Sequence, residues 1–261
     1  MSNPDIERLL AIMEKLRDPQ QGCPWDKEQT FTSIIPFTLE EAYEVADAIE
    51  REDWAELPAE LGDLLFQIVF YSQLGKEQQQ FDFSTVVSRI CDKLVQRHPH
   101  VFADADIKDL HDNWEKLKAG ERQARQLNSI LDDIPNALPA LTRAAKIQKR
   151  VARVGFDWGE LSPVVDKVRE ELDEVIVEAQ TSPQIPQKVQ EEVGDLLFAA
   201  VNLARHLGVN PEEALRQANH KFERRFRGVE QRVHESGKAF EEHSLMSLDQ
   251  YWEQVKQQER S

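Results

Sequence analysis

Cysteine is nearly missing from this chain of 261 residues, which has only Cys23 and Cys91. Two thiols make no disulfide framework, and both are expected to be buried and inert rather than nucleophilic. Long hydrophobic runs are missing too. No stretch approaches the length of a membrane span, and no secretory-type apolar segment follows the opening MSNPDIERLL. The expectation is a reducing cytoplasm and no membrane partner. Glycines number 10 and aromatics make up 8%, against 40% apolar and 31% charged residues, which reads as a soluble, globular, largely helical chain. Positive charge is short: 32 Lys and Arg face 48 Asp and Glu, for a net charge of −16. Such a balance works against gripping nucleic acid, whose affinity rests on cations that neutralise phosphates, so no direct nucleic-acid binding is expected. A small phosphorylated ligand is not excluded, because a few local cations and a metal ion can hold it.

What the chain does have is an internal repeat. EVGDLLF at 192–198 nearly duplicates ELGDLLF at 60–66, and each follows a second acidic cluster, EELDEV at 170–175 and EEAYEV at 40–45. Each half therefore carries a Glu-x-x-Glu followed by a Glu-x-x-Asp: Glu171, Glu174, Glu192 and Asp195 in the second half, Glu41, Glu44, Glu60 and Asp63 in the first. Residues three apart share a helix face. Four carboxylates converging from two helices repel one another unless a cation sits between them, and a divalent metal is the obvious candidate.

Helical periodicity runs along the chain. Apolar residues in 5–17 recur at helical spacing, DPQQGCPWD breaks the pattern, and a helix beginning near Thr32 carries the first acidic pair. Pro58 marks the next start, and ELGDLLFQIVFYSQL is apolar around most of its circumference, as a buried central helix would be. Gly62 inside it predicts a close approach by another helix. Thr38 and Glu41 have the spacing of a capping box. Further helices are expected over 83–97 and 107–126, the latter with Trp114 and Lys118, and strand signals are scarce. The fold expected is all-α, a tandem repeat of two helical modules: 1–126, a connection at 127–140 with Pro135 and Pro139, and 141–261.

Carboxylates are hard oxygen ligands that select magnesium, manganese or calcium over zinc or copper. A di-iron bundle needs Glu-x-x-His, and none of the seven histidines has a Glu three residues before it. His98 and His100 are therefore read as packed or capping residues. The calcium-loop pattern, the phosphate-binding Gly-x-x-x-x-Gly-Lys-Ser/Thr loop and the serine nucleophile elbow are also missing. Magnesium fits best, with manganese as a substitute, and magnesium shares its positions with phosphates. Cations for a phosphate are available in Lys221, Arg224, Arg225 and Lys256, and Lys167 and Lys188 each stand four residues before a candidate ligand. Trp252 suits either stacking on a nucleobase or a place in the core.

At these residues the chain resembles the MazG family of nucleoside triphosphate pyrophosphohydrolases, of the all-α NTP pyrophosphatase superfamily. The likeness spans both halves and includes GCPWDKEQT at 22–30, LEEAYEV at 39–45, ELGDLLFQ at 60–67, RHPHVF at 97–102 and KIQKRVARVGFDW at 146–158. It implies modules of the four-helix-bundle type, magnesium dependence, hydrolysis of NTPs to NMP and pyrophosphate with broad base tolerance, and homodimerisation. Glu171, Glu174, Glu192 and Asp195 are the metal ligands it implies, with attack at the α-phosphorus by water of lowered pKa. Either Glu170 or a ligand glutamate takes the proton, while Lys221 and Arg225, together with Lys167, Lys188, Arg224 and Lys256, stabilise phosphate charge. The competing function is a helical regulatory or adaptor protein that binds metal and nucleotide without turnover.

The halves differ around their acids. Where the second has Lys167 and Lys188, the first has Phe37 and Glu56. The second half is expected to be the main catalyst and Glu41, Glu44, Glu60 and Asp63 a weaker or structural second metal site.

Overall fold

The computed structural model describes residues 4–103 and 129–259, which are helical with no strand among them. The chain divides into two compact units, Met1–Gly120 and Glu121–Ser261. The predicted helix over 107–126, with Trp114 and Lys118, lies outside the described residues. No described helix is long and apolar enough to cross a membrane.

The first unit contains α1 (Pro4–Leu16), α2 (Pro24–Glu28), α3 (Phe31–Glu50), α4 (Leu57–Glu77), α5 (Phe83–Arg97) and α6 (Pro99–Phe102). Asp18 ends α1 by accepting from the backbone N–H groups of Gln20 and Gln21, which holds its carboxyl below the usual range. Arg17 then ties this turn to α4: it pairs with Glu77 at 2.7 Å and lies over the Phe70 ring at 5.3 Å. The core gathers Met13, Ile34, Val69, Phe70 and Leu74 from α1, α3 and α4.

Thr30 caps α3 through a capping box with Ser33, close to the start expected near Thr32, and Thr38 sits inside the helix, its hydroxyl bonded to the Ile34 carbonyl and Tyr71. Three expectations for this unit change. The α4 helix is buried mainly in its later turns, while Leu61 and Ile68 are exposed. No described atom lies within 4 Å of where a Gly62 Cβ would stand, so no described helix approaches it within the unit. The cysteines differ from expectation as well, since Cys23 is half-buried and Cys91 exposed.

The second unit contains α7 (Ala140–Ala152), α8 (Leu161–Gln180), α9 (Pro186–His206), α10 (Pro211–Ser236), a 3-10 turn (Phe240–Glu242) and α11 (Leu245–Gln258). Asn210 caps α10 by accepting from Glu212 and Glu213 N–H, with Pro211 in the first turn, and Gly237 ends it in the left-handed region at φ 69°. The α10–α11 contact buries Val229, Val233 and Val255. It depends on Gly228, where an added Cβ would meet Val255 Cγ2 at 2.9 Å. The α8 helix packs along α9, and α7 packs on both α9 and α10.

Candidate metal centre

On α8 the inward side follows Val164, Val168, Glu171 and Val175, and on α9 it follows Val189, Glu192, Leu196 and Ala199. Both series have helical spacing, and in both a glutamate takes a position where the period calls for an apolar residue. Burial of carboxylates in such places is costly unless a cation or hydrogen bonds compensate. The two helices consequently bring Glu171, Glu192 and Asp195 together, each offering an oxygen within 4.8 Å of the others. Glu171 is only 5% exposed. Its Oε1 accepts from Lys167 Nζ at 2.7 Å, and its Oε2 is buried without a hydrogen-bond partner.

Glu174 stands beside this group. Lost hydration, then the charges of Glu171 and Glu192, push its carboxyl above the usual range, with Lys167 opposing. Lys167 also binds Glu170 at 2.8 Å, and its hydrogen bonds to Glu170 and Glu171 raise its own pKa. An orphaned buried oxygen, two neighbouring hard oxygen donors and a raised carboxylate fit a divalent cation of the magnesium class.

The first unit brings Glu41, Glu44 and Glu60 to the same mutual distance, within 4.8 Å. Burial, then Asp63 and Glu44, raise Glu41; burial, then Glu44 and Glu56, raise Glu60. No histidine joins either group among the described residues. His98 instead caps the end of α5 and its ring bonds to the Leu94 carbonyl at 2.7 Å.

Most of the remaining predicted cations have other occupations. Lys188 lies 3.7 Å from Glu178. Arg224 and Arg225 hold the Glu259 carboxylate at 2.9 and 2.8 Å, which pulls its pKa down. Arg225 also lies over Trp252 at 5.9 Å, Trp252 packs on the α10–α11 core, and Lys256 pairs with Glu253 at 2.6 Å. Lys221 is exposed on α10. Of the predicted substrate cations, Lys167 is the one in direct contact with the acidic group.

Sequence reasoning missed a cavity of about 540 Å³ beside this group. Glu171, Asp195 and Lys167 line it, together with Gln148 and Val151 of α7, Phe198 of α9 and the loop Gly155–Trp158. The stretch KIQKRVARVGFDW held the signal, because its apolar and aromatic positions supply that wall.

Comparison with known proteins places this geometry. The profile of the MazG nucleotide pyrophosphohydrolase domain matches residues 29–102 and 161–229, one stretch in each unit. The chain is 57% identical over 257 residues to the nucleoside triphosphate pyrophosphohydrolase of Escherichia coli K12, covering 97% of this chain and 98% of that one. It is 42% identical over 251 residues to the nucleoside triphosphate pyrophosphohydrolase/pyrophosphatase MazG of Thermotoga maritima, covering 96% and 95%. A Bacillus subtilis protein, YabN, is 42% identical over 259 residues, which span 98% of this chain and 52% of that one. With both acidic groups inside the matched stretches, the chain belongs to the MazG family of nucleotide pyrophosphohydrolases.

Proposed function

We propose that the chain hydrolyses nucleoside triphosphates to the monophosphate and pyrophosphate at the second acidic group. Glu171, Glu192 and Asp195 would hold magnesium, with Glu174 joining them and manganese as a substitute. The observation that carries this reading is the Glu171 Oε2, buried and unpartnered at the meeting point of three carboxylates. When bound, the cation neutralises phosphate charge and lowers the pKa of water.

The protein's own groups supply the rest. Lys167 keeps Glu170 and Glu171 oriented and stands at the rim of the cavity, where its ammonium faces incoming phosphate oxygens. Glu170 is exposed beside it, in reach of solvent, and is the candidate to accept the proton of the attacking water. Lys221 and the Arg224–Arg225 pair serve the departing pyrophosphate, a role that requires the arginines to exchange Glu259 for phosphate.

Hydrolysis in 18O-labelled water with magnesium and a nucleoside triphosphate tests both the bond and the site of attack. Label in the monophosphate, with pyrophosphate as co-product, is expected. Label in pyrophosphate, or nucleoside diphosphate with orthophosphate, would overturn attack at the α-phosphorus, and no product would favour the adaptor reading. A homodimer is part of the same proposal: Leu172, Ile176, Val177, Val193 and Leu197 leave much apolar surface exposed on α8 and α9. A monomeric mass by light scattering would remove it.

A further inference from the structure

The end of α11 meets two arginines of α10 in a way that its packing does not require. Val255 seats α11 in the core with Val229 and Val233. Arg232 of α10 secures the last turn through neutral partners, donating to the amide oxygens of Gln254 at 3.2 Å and Gln258 at 2.6 Å. Glu259 follows as the C-cap, at a position where a helix frays at little cost. Its carboxylate still bridges two guanidiniums: Oε1 accepts from Arg224 Nε at 2.9 Å and Oε2 from Arg225 Nε at 2.8 Å. Carboxylate and phosphate offer arginine the same kind of charge-assisted acceptor, so Glu259 holds the place that phosphate oxygens would take.

We infer that Glu259 is a tethered competitor for the pyrophosphate end of the substrate: it occupies Arg224 and Arg225 while they hold no phosphate and returns to them as pyrophosphate leaves. The inference rests on the function proposed above and adds to it a group that resists phosphate binding rather than aiding it.

A competitor on the same chain lowers the apparent affinity of every ligand that must displace it by one common factor, set by the fraction of molecules whose arginines are free. Substrate and pyrophosphate are weakened alike. The gain is in release, because affinity differences between related complexes lie mostly in the dissociation rate. The hydrogen bonds from Arg225 and then Arg224 hold the Glu259 carboxyl below its usual range, so the competitor keeps its charge at neutral pH. Its effect is modest all the same. Arg224 is 64% exposed, and such a pair is weakened by solvent and by salt. Arg225 is the firmer partner, 21% exposed and lying over Trp252.

Calorimetric binding of inorganic pyrophosphate to the full chain with magnesium tests this. Glu259→Gln keeps the shape and removes the charge, and is expected to tighten pyrophosphate about fivefold. It is also expected to lower KM for ATP by the same factor without raising kcat, as removal of a uniform binding penalty does. In an Arg224→Gln/Arg225→Gln background the same change should leave pyrophosphate binding within about twofold. Unchanged binding in Glu259→Gln overturns the inference, and so does weaker binding, which would make Glu259 a residue that positions the arginines. Tightening that persists without the two arginines overturns it as well, because the effect would then be that of one fewer negative charge on the surface. Tightened binding without turnover of any triphosphate defeats the hydrolase and supports the competitor, whereas turnover to pyrophosphate with binding unchanged in Glu259→Gln defeats the competitor alone.

Discussion

The two acidic groups are alike in ligand atoms and unlike in what surrounds them. Each draws oxygens from two helices to within 4.8 Å. In the second unit Lys167 reaches Glu171 at 2.7 Å and offsets the charge on Glu174, and a cavity opens on the same carboxylates. In the first unit the charges that shift Glu41 and Glu60 are all anionic: Asp63, Glu44, Glu40 and Glu56. A cavity in that unit, about 190 Å³ and lined by Leu10, Met13 and Phe83, includes none of Glu41, Glu44, Glu60 and Asp63. A cluster of acids can attract a cation, but a triphosphate adds several negative charges of its own. Only surroundings that already hold positive charge and offer room for an organic group suit it. Duplication thus preserved the ligand pattern while the position four residues before the first glutamate diverged to Phe37 in one copy and Lys167 in the other.

Paired substitutions are the strongest way to break this comparison. Asp195→Ala is expected to lower kcat by about 10³-fold, the scale of losing a principal electrostatic element, while Asp63→Ala changes it by less than about threefold. Pyrophosphate release under saturating magnesium and substrate measures both. Equal losses would show that the units contribute alike.

A smaller effect isolates the lysine. Lys167→Met is expected to lower kcat/KM by about 10- to 100-fold, because it removes both the cation at the cavity rim and the contact that orients Glu171. The reciprocal Phe37→Lys should tighten magnesium-dependent nucleotide binding by the first unit, read by equilibrium dialysis in an Asp195→Ala background. No change there would mean that this position is not what separates the two copies.

Much of this was legible in the sequence, for identifiable reasons. Helix positions in the first half followed from periodicity and from Pro58, because those signals act within a few residues. The carboxylates followed from the repeat, since helical spacing alone places Glu171 and Glu174 on neighbouring positions of one face. Thr38 has the capping-box spacing to Glu41 but lies within α3, whose start at Thr30 falls close to the one expected near Thr32, because a Thr three residues before a Glu fits that spacing wherever it falls. The ion pairs of Arg224 and Arg225 with Glu259 join residues more than thirty positions apart, and no local rule finds them. The cavity was hidden for the same reason. Gln148, Phe156 and Phe198 look like ordinary helix and loop residues until α7, α9 and the loop meet.

Protons sharpen the comparison further. Glu41, Glu60 and Glu174 have folded-state pKa values raised above 4.5, so the folded protein binds more protons than the unfolded chain just above that pH. The contribution of these groups to stability therefore falls as pH rises through their raised values. A divalent cation replaces the protons. The rise in Tm produced by magnesium is expected to be small near pH 4.5 and larger at pH 7, as scanning calorimetry would measure. Without metal at pH 7, Glu41→Gln should raise Tm more than Glu174→Gln, because Lys167 already offsets part of the repulsion at Glu174. The reverse order would mean that the first unit has a compensating charge of its own.

The smallest expected effects concern Gly62 and Gly194, the glycines of the duplicated GDLLF. Within each unit, no described atom lies within 4 Å of an added Cβ at either position. Both sit inside helices, where alanine is favoured over glycine by about 0.5–1 kcal/mol. If each unit stood alone, Gly62→Ala and Gly194→Ala would both stabilise by that amount in urea titrations. Gly228→Ala, by contrast, would destabilise, because its Cβ meets Val255 at 2.9 Å with the α10–α11 core behind it. A dimer changes the sign of the first two without touching the third. Gly62 neighbours exposed Leu61, and Gly194 stands between exposed Val193 and Leu197, so a second copy covering either surface would bring atoms to the vacant Cβ position. Loss of stability in Gly194→Ala alone, strongest at high protein concentration, would place the contact on the second unit. Loss in both would mean that the two copies of GDLLF, unequal in their chemistry, are still equal as packing surfaces.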